Sequence, residues 1–338
     1  MKAMVFPQAH SAIVTEAPDP RLLPNEVLVK VHASGICGTD MHMYEGEFWG
    51  SFPVIPGHEF AGEIVEIGQA VTNWKTGQRV AVDPNIQCNQ CEFCWEHIKQ
   101  HCLNRISIGV TRDGGHAEYC AVPENQLVPV PEGLSYAEAA FAEPVACCVH
   151  GIDQAEIRPG QRVVILGGGT IGLILAQLAR SAGASTVIVS DPLLEKRALA
   201  LQLGVDVVVD PTTEDLKQVV YSHAPQGAEV IIEAVGRTQT AAQALELVRN
   251  RGLVLFFGVG DPKATIPLSP YDVYLRELTI RGSFTNPFTN SRSLRLIASG
   301  RVQVAPLIKK RFSLDEGPQA LFSLKEPDSV KSLIVMED

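Results

Sequence analysis

Four cysteines, Cys88, Cys91, Cys94 and Cys102, make a C-x2-C-x2-C-x7-C run inside a short stretch rich in Asn, Gln and Glu. Four thiolates at this spacing can close a tetrahedral zinc shell with no open position, which is the make-up of a structural site. Binding energy would then order a loop that has too few apolar residues to fold by burial. An iron–sulfur cluster is one competing use of such a run, although the Cys-Pro ending of bacterial ferredoxin runs is missing here. Unpaired core thiols are the other, and His97 and His101 in the same lobe read as surface residues.

A second set of ligand types is scattered. Cys37 lies in Gly35-Ile36-Cys37-Gly38-Thr39-Asp40-Met41-His42, His58 in Gly57-His58-Glu59, and Glu143 in Ala142-Glu143-Pro144. One sulfur, one nitrogen and one oxygen plus water is the composition of a catalytic zinc, whose fourth position takes substrate. Because the three are remote in sequence, a buried thiol and a hydrogen-bonded core histidine account for Cys37 and His58 equally well.

The third feature is Gly167-Gly168-Gly169-Thr170-Ile171-Gly172, a G-x-G-x-x-G that follows an apolar strand and opens a helical pattern. Glycines there let the chain turn tightly and bring free helix-start amides up to a pyrophosphate. Asp191, 19 residues beyond Gly172 at the end of the next strand, is placed to accept from the adenosine ribose hydroxyls. A carboxylate would repel a 2′-phosphate, so NAD is expected in preference to NADP. The plainer reading is tight helix–sheet packing with Asp191 capping a turn. Arg197 is read as lying on a solvated helix face, the alternative being that it neutralises a 2′-phosphate.

The elements that must hold these residues follow from composition and pattern. A chain of 338 residues, 46% apolar and 20% charged, predicts two domains. A formal charge of −10 without a dense basic cluster argues against nucleic acid as partner. Residues 1–18 lack secretory-signal features, and the most apolar stretch, Val163 to Ala179, is broken by four glycines. No membrane span and a cytoplasmic location are therefore expected. In that reducing setting the eight cysteines read as ligands or packing residues, with Cys120, Cys147 and Cys148 in the second class.

The first part of the chain shows short β-rich runs, Val27 to Ala33 and Ala61 to Ile67, with Gly and Pro punctuation, which predicts a compact antiparallel β domain. From about Gln161 strands and helices alternate: strand 162–166, helix 170–182, strand 186–190, helix 194–203, strand 206–210, helix 213–223, strand 230–233, helix 239–248, strand 253–257. This predicts an α/β fold, a doubly wound parallel sheet with helices on both faces. A last apolar run, Ser332 to Met336, reads as a strand returning to the first domain. The expected division is 1–150 with 286–338, including a cysteine lobe at 85–105, and 151–285 for the dinucleotide domain.

Taken in order, Cys-Gly-Thr-Asp-x-His at 37–42, Gly-His-Glu at 57–59, the four-cysteine lobe, Glu143-Pro144 and the glycine loop resemble the zinc-dependent medium-chain dehydrogenases over essentially the whole chain. Within them the chain is most similar to the polyol dehydrogenases of the sorbitol, xylitol and arabinitol group. The resemblance implies a GroES-like β-rich catalytic domain plus a Rossmann domain, two zinc ions per chain, and NAD.

It further implies that Cys37 and His58 ligate the catalytic zinc, with Glu143 as third ligand and Glu59 as a coordinating or neighbouring acid. The reaction implied is reversible oxidation of a secondary alcohol to a ketone. Thr39 would receive the hydroxyl proton and pass it through the cofactor ribose to His42, with Glu59 and water as the alternative route, while Asp40 braces the loop; a turn hydroxyl and a surface ring are the plainer readings of Thr39 and His42. Gly258, Val259 and Gly260, with Gly282, Ser283 and Phe284, would border the nicotinamide.

Tyr44, Glu47, Phe48 and Trp49 are candidates to line the substrate site, and surface-loop packing is the alternative for each. Thr285-Asn286 stands where animal sorbitol dehydrogenases carry Arg-Tyr, which favours an arabinitol, xylitol or cyclitol substrate. Threonine dehydrogenases share most of the motifs but usually read Asp-Pro at 143–144. A non-enzymatic NAD-binding scaffold is the reading from another class, and the complete set of zinc-ligand candidates argues against it. A homotetramer or homodimer is expected, joined through an edge strand near Phe256 to Gly260.

Overall fold

The computed structural model describes residues 1–47, 50–326 and 329–336. Two compact units appear. The first comprises Met1–Ala146, Asn286–Ser299 and Val304–Asp338, and the second Cys147–Thr285 with Gly300–Gln303.

The first unit is built on a seven-stranded sheet. In spatial order its main path runs Ile308–Phe312, Lys331–Val335, Glu26–Gly35, Glu59–Ile67, Arg79–Val82 and Leu127–Pro129, with Tyr119–Pro123 also pairing with Glu26–Gly35. Alternating apolar residues of these strands, among them Val27, Val29, Val31, Ile64, Val80 and Val122, are fully buried. The period-2 pattern thus puts one face of the sheet into the core. One pairing departs from the antiparallel expectation: Ile308–Phe312 runs parallel to Lys331–Val335. A helix intervenes between them, Gly317–Phe322, and supplies the crossover that a parallel pair needs.

The second unit is a six-stranded, all-parallel sheet in the order Val207–Val209, Thr186–Ser190, Arg162–Leu166, Ala228–Glu233, Val248–Phe256 and Thr279–Gly282. That order reverses direction beside the first strand, as in doubly wound dinucleotide folds. Val163, Val164, Ile165, Val187, Ile188 and Val189 are all fully buried, as strands covered on both faces require. The edge strand needs correction. Val248–Phe256 is not an edge, because Thr279–Gly282 pairs along it from Leu253↔Thr279 to Phe256↔Gly282 and itself forms the border. Among the described residues no helix is long and apolar enough to cross a membrane.

Candidate active site and metal centres

Strand register assembles the first site. Gly35, ending one strand, pairs with Glu59, beginning the next, and Leu333 of the final strand pairs with Gly35 from the other side. Cys37, His58, Glu59 and Lys331 therefore converge at one end of the sheet. Cys37 starts the short helix Gly38–Tyr44, and Asp40 Oδ2 accepts the Cys37 backbone N–H at 2.8 Å, the reciprocal half of a capping box. Gly57 turns the chain into His58 at φ +96°, a conformation that L side chains rarely adopt.

Cys37, His58 and Glu59 each offer a ligand atom, and those atoms lie within 4.8 Å of one another. His58 Nδ1 faces Asp40 Oδ1 at 3.6 Å, which leaves Nε2 to ligate. Both of the facing atoms are buried without a hydrogen-bond partner. One thiol, one imidazole and one carboxylate, with a ring oriented from behind by a carboxylate, fits a catalytic zinc with an open position.

Burial opposes the charged form of Asp40, but His116 and His58 beside it hold its carboxyl well below the usual carboxylate range. Burial also opposes the His58 imidazolium, yet Cys37 and Asp40 raise its pKa well above the ordinary value. Both shifts mark a pocket whose anionic groups favour a cation. Lys331 is a second buried cation there: its Nζ pairs with Glu59 Oε2 and donates to the Ile36 carbonyl at 2.8 Å. Against its burial, Glu59, Cys37 and Asp40 keep Lys331 charged, with its pKa raised.

Glu143 is buried on the first turn of helix Ala142–Ala155 and is not a member of the Cys37–His58–Glu59 group. The carbonyls of Ala142 and Ala146 that flank it accept hydrogen bonds from Ser293 Oγ and Thr289 Oγ1, both at 2.7 Å, so that turn is fixed by the returning segment of the same unit. Thr39 Oγ1 lies 3.8 Å from Cys37 Sγ. His42 is partly exposed, and its Nδ1 pairs with Glu47 Oε2 at 2.8 Å.

Of the candidate substrate residues, the Tyr44 ring packs against Phe6, His10 and Phe322, and Glu47 is taken up by His42. Phe48 and Trp49 lie outside the described residues. Asn286 is fully buried, bonded to Asn85 at 2.6 Å and to Asp83 at 3.5 Å. Its amide is thus committed to a polar network of the first unit.

The cysteine lobe brings all four sulfurs of Cys88, Cys91, Cys94 and Cys102 within 4.8 Å of one another. Cys88–Cys94 and Cys91–Cys94 are 4.0 and 3.5 Å apart, close to the edge of about 3.8 Å that a tetrahedron of Zn–S bonds requires. The Gln90 backbone amide lowers the Cys88 thiol to about 6, and the Leu103 amide lowers that of Cys91. These two shifts favour the thiolates that a metal binds, whereas burial pushes the Cys94 thiol up to about 11. By contrast Cys120 is sealed in the core, and burial pushes its thiol up to about 12.

In the second unit the glycine loop leaves the C-terminal end of strand Arg162–Leu166 and opens helix Thr170–Ser181, with Gly169 as N-cap. A Cβ on Gly172 would fall 1.9 Å from the Gly167 carbonyl, so the helix start can approach the turn only through glycine. Asp191 is buried; its Oδ2 accepts the Gly168 N–H at 2.8 Å and its Oδ1 the Leu193 N–H at 2.9 Å. Arg197 is not on a solvated face: it donates to the Asp191 carbonyl at 2.8 Å and pairs with Asp210 at 2.9 Å. Gly258 and Val259, and Ser283 and Phe284, follow the C-terminal ends of strands Val248–Phe256 and Thr279–Gly282. The loop and these four residues therefore share the strand-end border where open α/β sheets bind ligands.

Sequence reasoning passed over Ser34, His116 and Lys331. Lys331 had a faint signal, a lysine at the head of an apolar terminal strand. Ser34 and His116 had none, since their partners are distant in sequence.

Family comparison agrees with this geometry. Residues 23–132 match the alcohol dehydrogenase GroES-like domain and residues 170–299 the zinc-binding dehydrogenase domain. D-arabinitol dehydrogenase 1 of Uromyces fabae is 32% identical over 335 residues, spanning 98% of this chain and 96% of that protein. L-threonine 3-dehydrogenase of Rhizobium rhizogenes is 30% identical over 344 residues, spanning 100% and 98%. A Sinorhizobium meliloti protein described as a zinc-binding dehydrogenase and solved with NADP superposes with a TM-score of 0.96 at 40% identity, covering 99% of this chain and 98% of that one. The chain belongs to the zinc-dependent medium-chain dehydrogenases and is an oxidoreductase of their polyol-dehydrogenase-like branch.

Proposed function

We propose that this enzyme catalyses the NAD-dependent, reversible oxidation of a secondary hydroxyl of a polyol, of the arabinitol, xylitol or sorbitol type, to the ketose. The observation that carries the reading is the group of half-buried Cys37 with buried His58 and Glu59, the Thr39 hydroxyl standing beside the Cys37 sulfur. Cys37, His58 and Glu59 would hold a zinc ion, which would supply Lewis acidity toward the substrate hydroxyl, and NAD held at the glycine loop would supply the hydride acceptor. Thr39 receives the hydroxyl proton. His42, held through Nδ1 by Glu47, carries it outward. Glu143 is a further candidate ligand of the same zinc beside Glu59, and Cys88, Cys91, Cys94 and Cys102 hold a structural zinc. Asp191, at the end of strand Thr186–Ser190, supports NAD over NADP. Strand Thr279–Gly282, the border of its sheet among the described residues, supports pairing with a second copy, and the use of cysteines as zinc ligands supports a reducing, cytoplasmic setting.

The test is a screen of C4 to C6 polyols, inositols and L-threonine, with NAD and then NADP, followed by nicotinamide absorbance. A polyol oxidised with NAD is expected, and Cys37→Ser should remove turnover while leaving a folded protein. No polyol turnover by zinc-replete enzyme refutes the proposal. Preferential turnover of L-threonine establishes the second reading, which the full-length similarity to a threonine dehydrogenase favours. A higher kcat/KM with NADP refutes the role given to Asp191.

A further inference from the structure

Behind the Cys37–His58–Glu59 group lies a second buried histidine that the proposed reaction does not use. His116 is fully buried, as are Ser34 and Asp40. Its Nδ1 is 2.8 Å from Ser34 Oγ, and its Nε2 faces Asp40 Oδ2 at 3.6 Å. Asp40 in turn faces His58 Nδ1 at 3.6 Å through its other oxygen. Asp40 Oδ1, His58 Nδ1 and His116 Nε2 are all buried and without a hydrogen-bond partner. Three orphaned atoms in one place, two of them ring nitrogens pointing at the same carboxylate, are not a random residue of packing, since buried polar groups are normally paired.

We propose that His116 is a positioning residue: with Ser34 it clamps Asp40, so that Asp40 presents the His58 ring to the metal through Nε2. This rests on the metal reading of Cys37, His58 and Glu59. The proton placement is dictated by the contacts. A bare Nε2 lone pair facing a carboxylate would be repelled, so Nε2 carries a proton toward Asp40 and Nδ1 accepts from the Ser34 hydroxyl. Asp40 then has the Cys37 amide and His116 on Oδ2 and keeps Oδ1 for the His58 Nδ1–H. Without His116 the carboxylate keeps one firm bond, to the Cys37 amide at 2.8 Å, and can turn away from His58. The chain is Ser34, His116, Asp40, His58, metal, and the closeness of Gly57, where a Cβ would sit 2.6 Å from His116 Nδ1, keeps the ring in place.

The experiment compares zinc retention in wild type, His116→Leu, His116→Gln and Ser34→Ala. Zinc is titrated out of the holoenzyme with a chelator, the tighter four-cysteine ion serving as internal reference. Cobalt(II) replaced into the weaker site reports its geometry by visible absorption. Removing an outer partner of a zinc-bound histidine costs about 10–100-fold in metal affinity. His116→Leu should therefore release the weaker ion at least about tenfold more readily and alter the cobalt spectrum. His116→Gln, whose amide N–H can reach the same carboxylate, should stay within about threefold of wild type. Ser34→Ala, which removes one hydroxyl, should show an intermediate loss. Wild-type affinity in His116→Leu, equal losses in the Leu and Gln variants, or an unaffected Ser34→Ala would each overturn the proposal. Wild type binding only the four-cysteine ion would instead sink the metal reading on which it rests.

Discussion

Replacing Lys331 by methionine removes the cation of an ion pair in which Lys331 is 5% and Glu59 2% exposed. Two unit charges about 4 Å apart attract by about 4 kcal/mol at an effective dielectric of 20. Breaking a buried pair by deleting one partner typically costs about 3–5 kcal/mol, because the other charge is left uncompensated. Lys331 also donates to the Ile36 carbonyl, whose loss of a partner acts in the same direction. At about 2–4 °C per kcal/mol for a folded unit of this size, Lys331→Met should lower Tm on the order of 10 °C. The assay is thermal melting of wild type, Lys331→Met, Glu59→Gln and the double variant, each with the weaker zinc site emptied by chelator and the four-cysteine ion retained, so that no zinc stands in for Lys331 beside Glu59. The double variant should recover more than half of the loss, since a neutral amide strands no charge. An unchanged Tm in Lys331→Met, or strictly additive losses in the double variant, would refute the ion-pair reasoning.

Cys91→Ser should release one zinc per chain, measurable by atomic emission, and lower Tm, because the lobe has few buried apolar residues besides its sulfurs; unaltered zinc content would dismiss the lobe as a metal site. Glu229 is bound by Arg162 through its guanidinium at 2.6 Å and its backbone N–H at 2.8 Å. Partial burial opposes its ionisation, but Arg162 lowers the carboxyl below its ordinary value. A depressed folded pKa means a contribution present above about pH 4.5 and lost as pH falls through the folded value. Glu229→Gln should therefore flatten the acid limb of a stability profile, and an acid limb identical to wild type would contradict that sign.

The parallel sheet was legible because its strands are buried on both faces and read as unbroken apolar runs, so that 162–166 and 186–190 are bounded alike in sequence and structure. Helix Thr213–His223 was read three residues too long: Asp215 caps it by accepting the Gln218 N–H, so the helix begins at Leu216. Helix Ala142–Ala155 was missed, since Pro144 near its start and Gly151 within it interrupt the helical pattern. The cysteine lobe was legible for another reason, as its ligands lie within 15 residues and carry their own spacing.

Sequence alone determined the types of group available and everything encoded at short range: the four-cysteine shell, the glycine turn with its acid, and the alternation that makes a doubly wound sheet. Family resemblance implies Glu143 as a third ligand. Tertiary structure sets Glu59 beside Cys37 and His58, because strand register places Glu59 opposite Gly35 and brings Lys331 in from a strand some 270 residues away. It likewise joined Ser34, Asp40 and His116 behind His58. Ligand identity is a property of residue type, whereas coordination, ion pairing and ring orientation depend on distances of a few ångströms. Those distances exist only once non-local strands have paired.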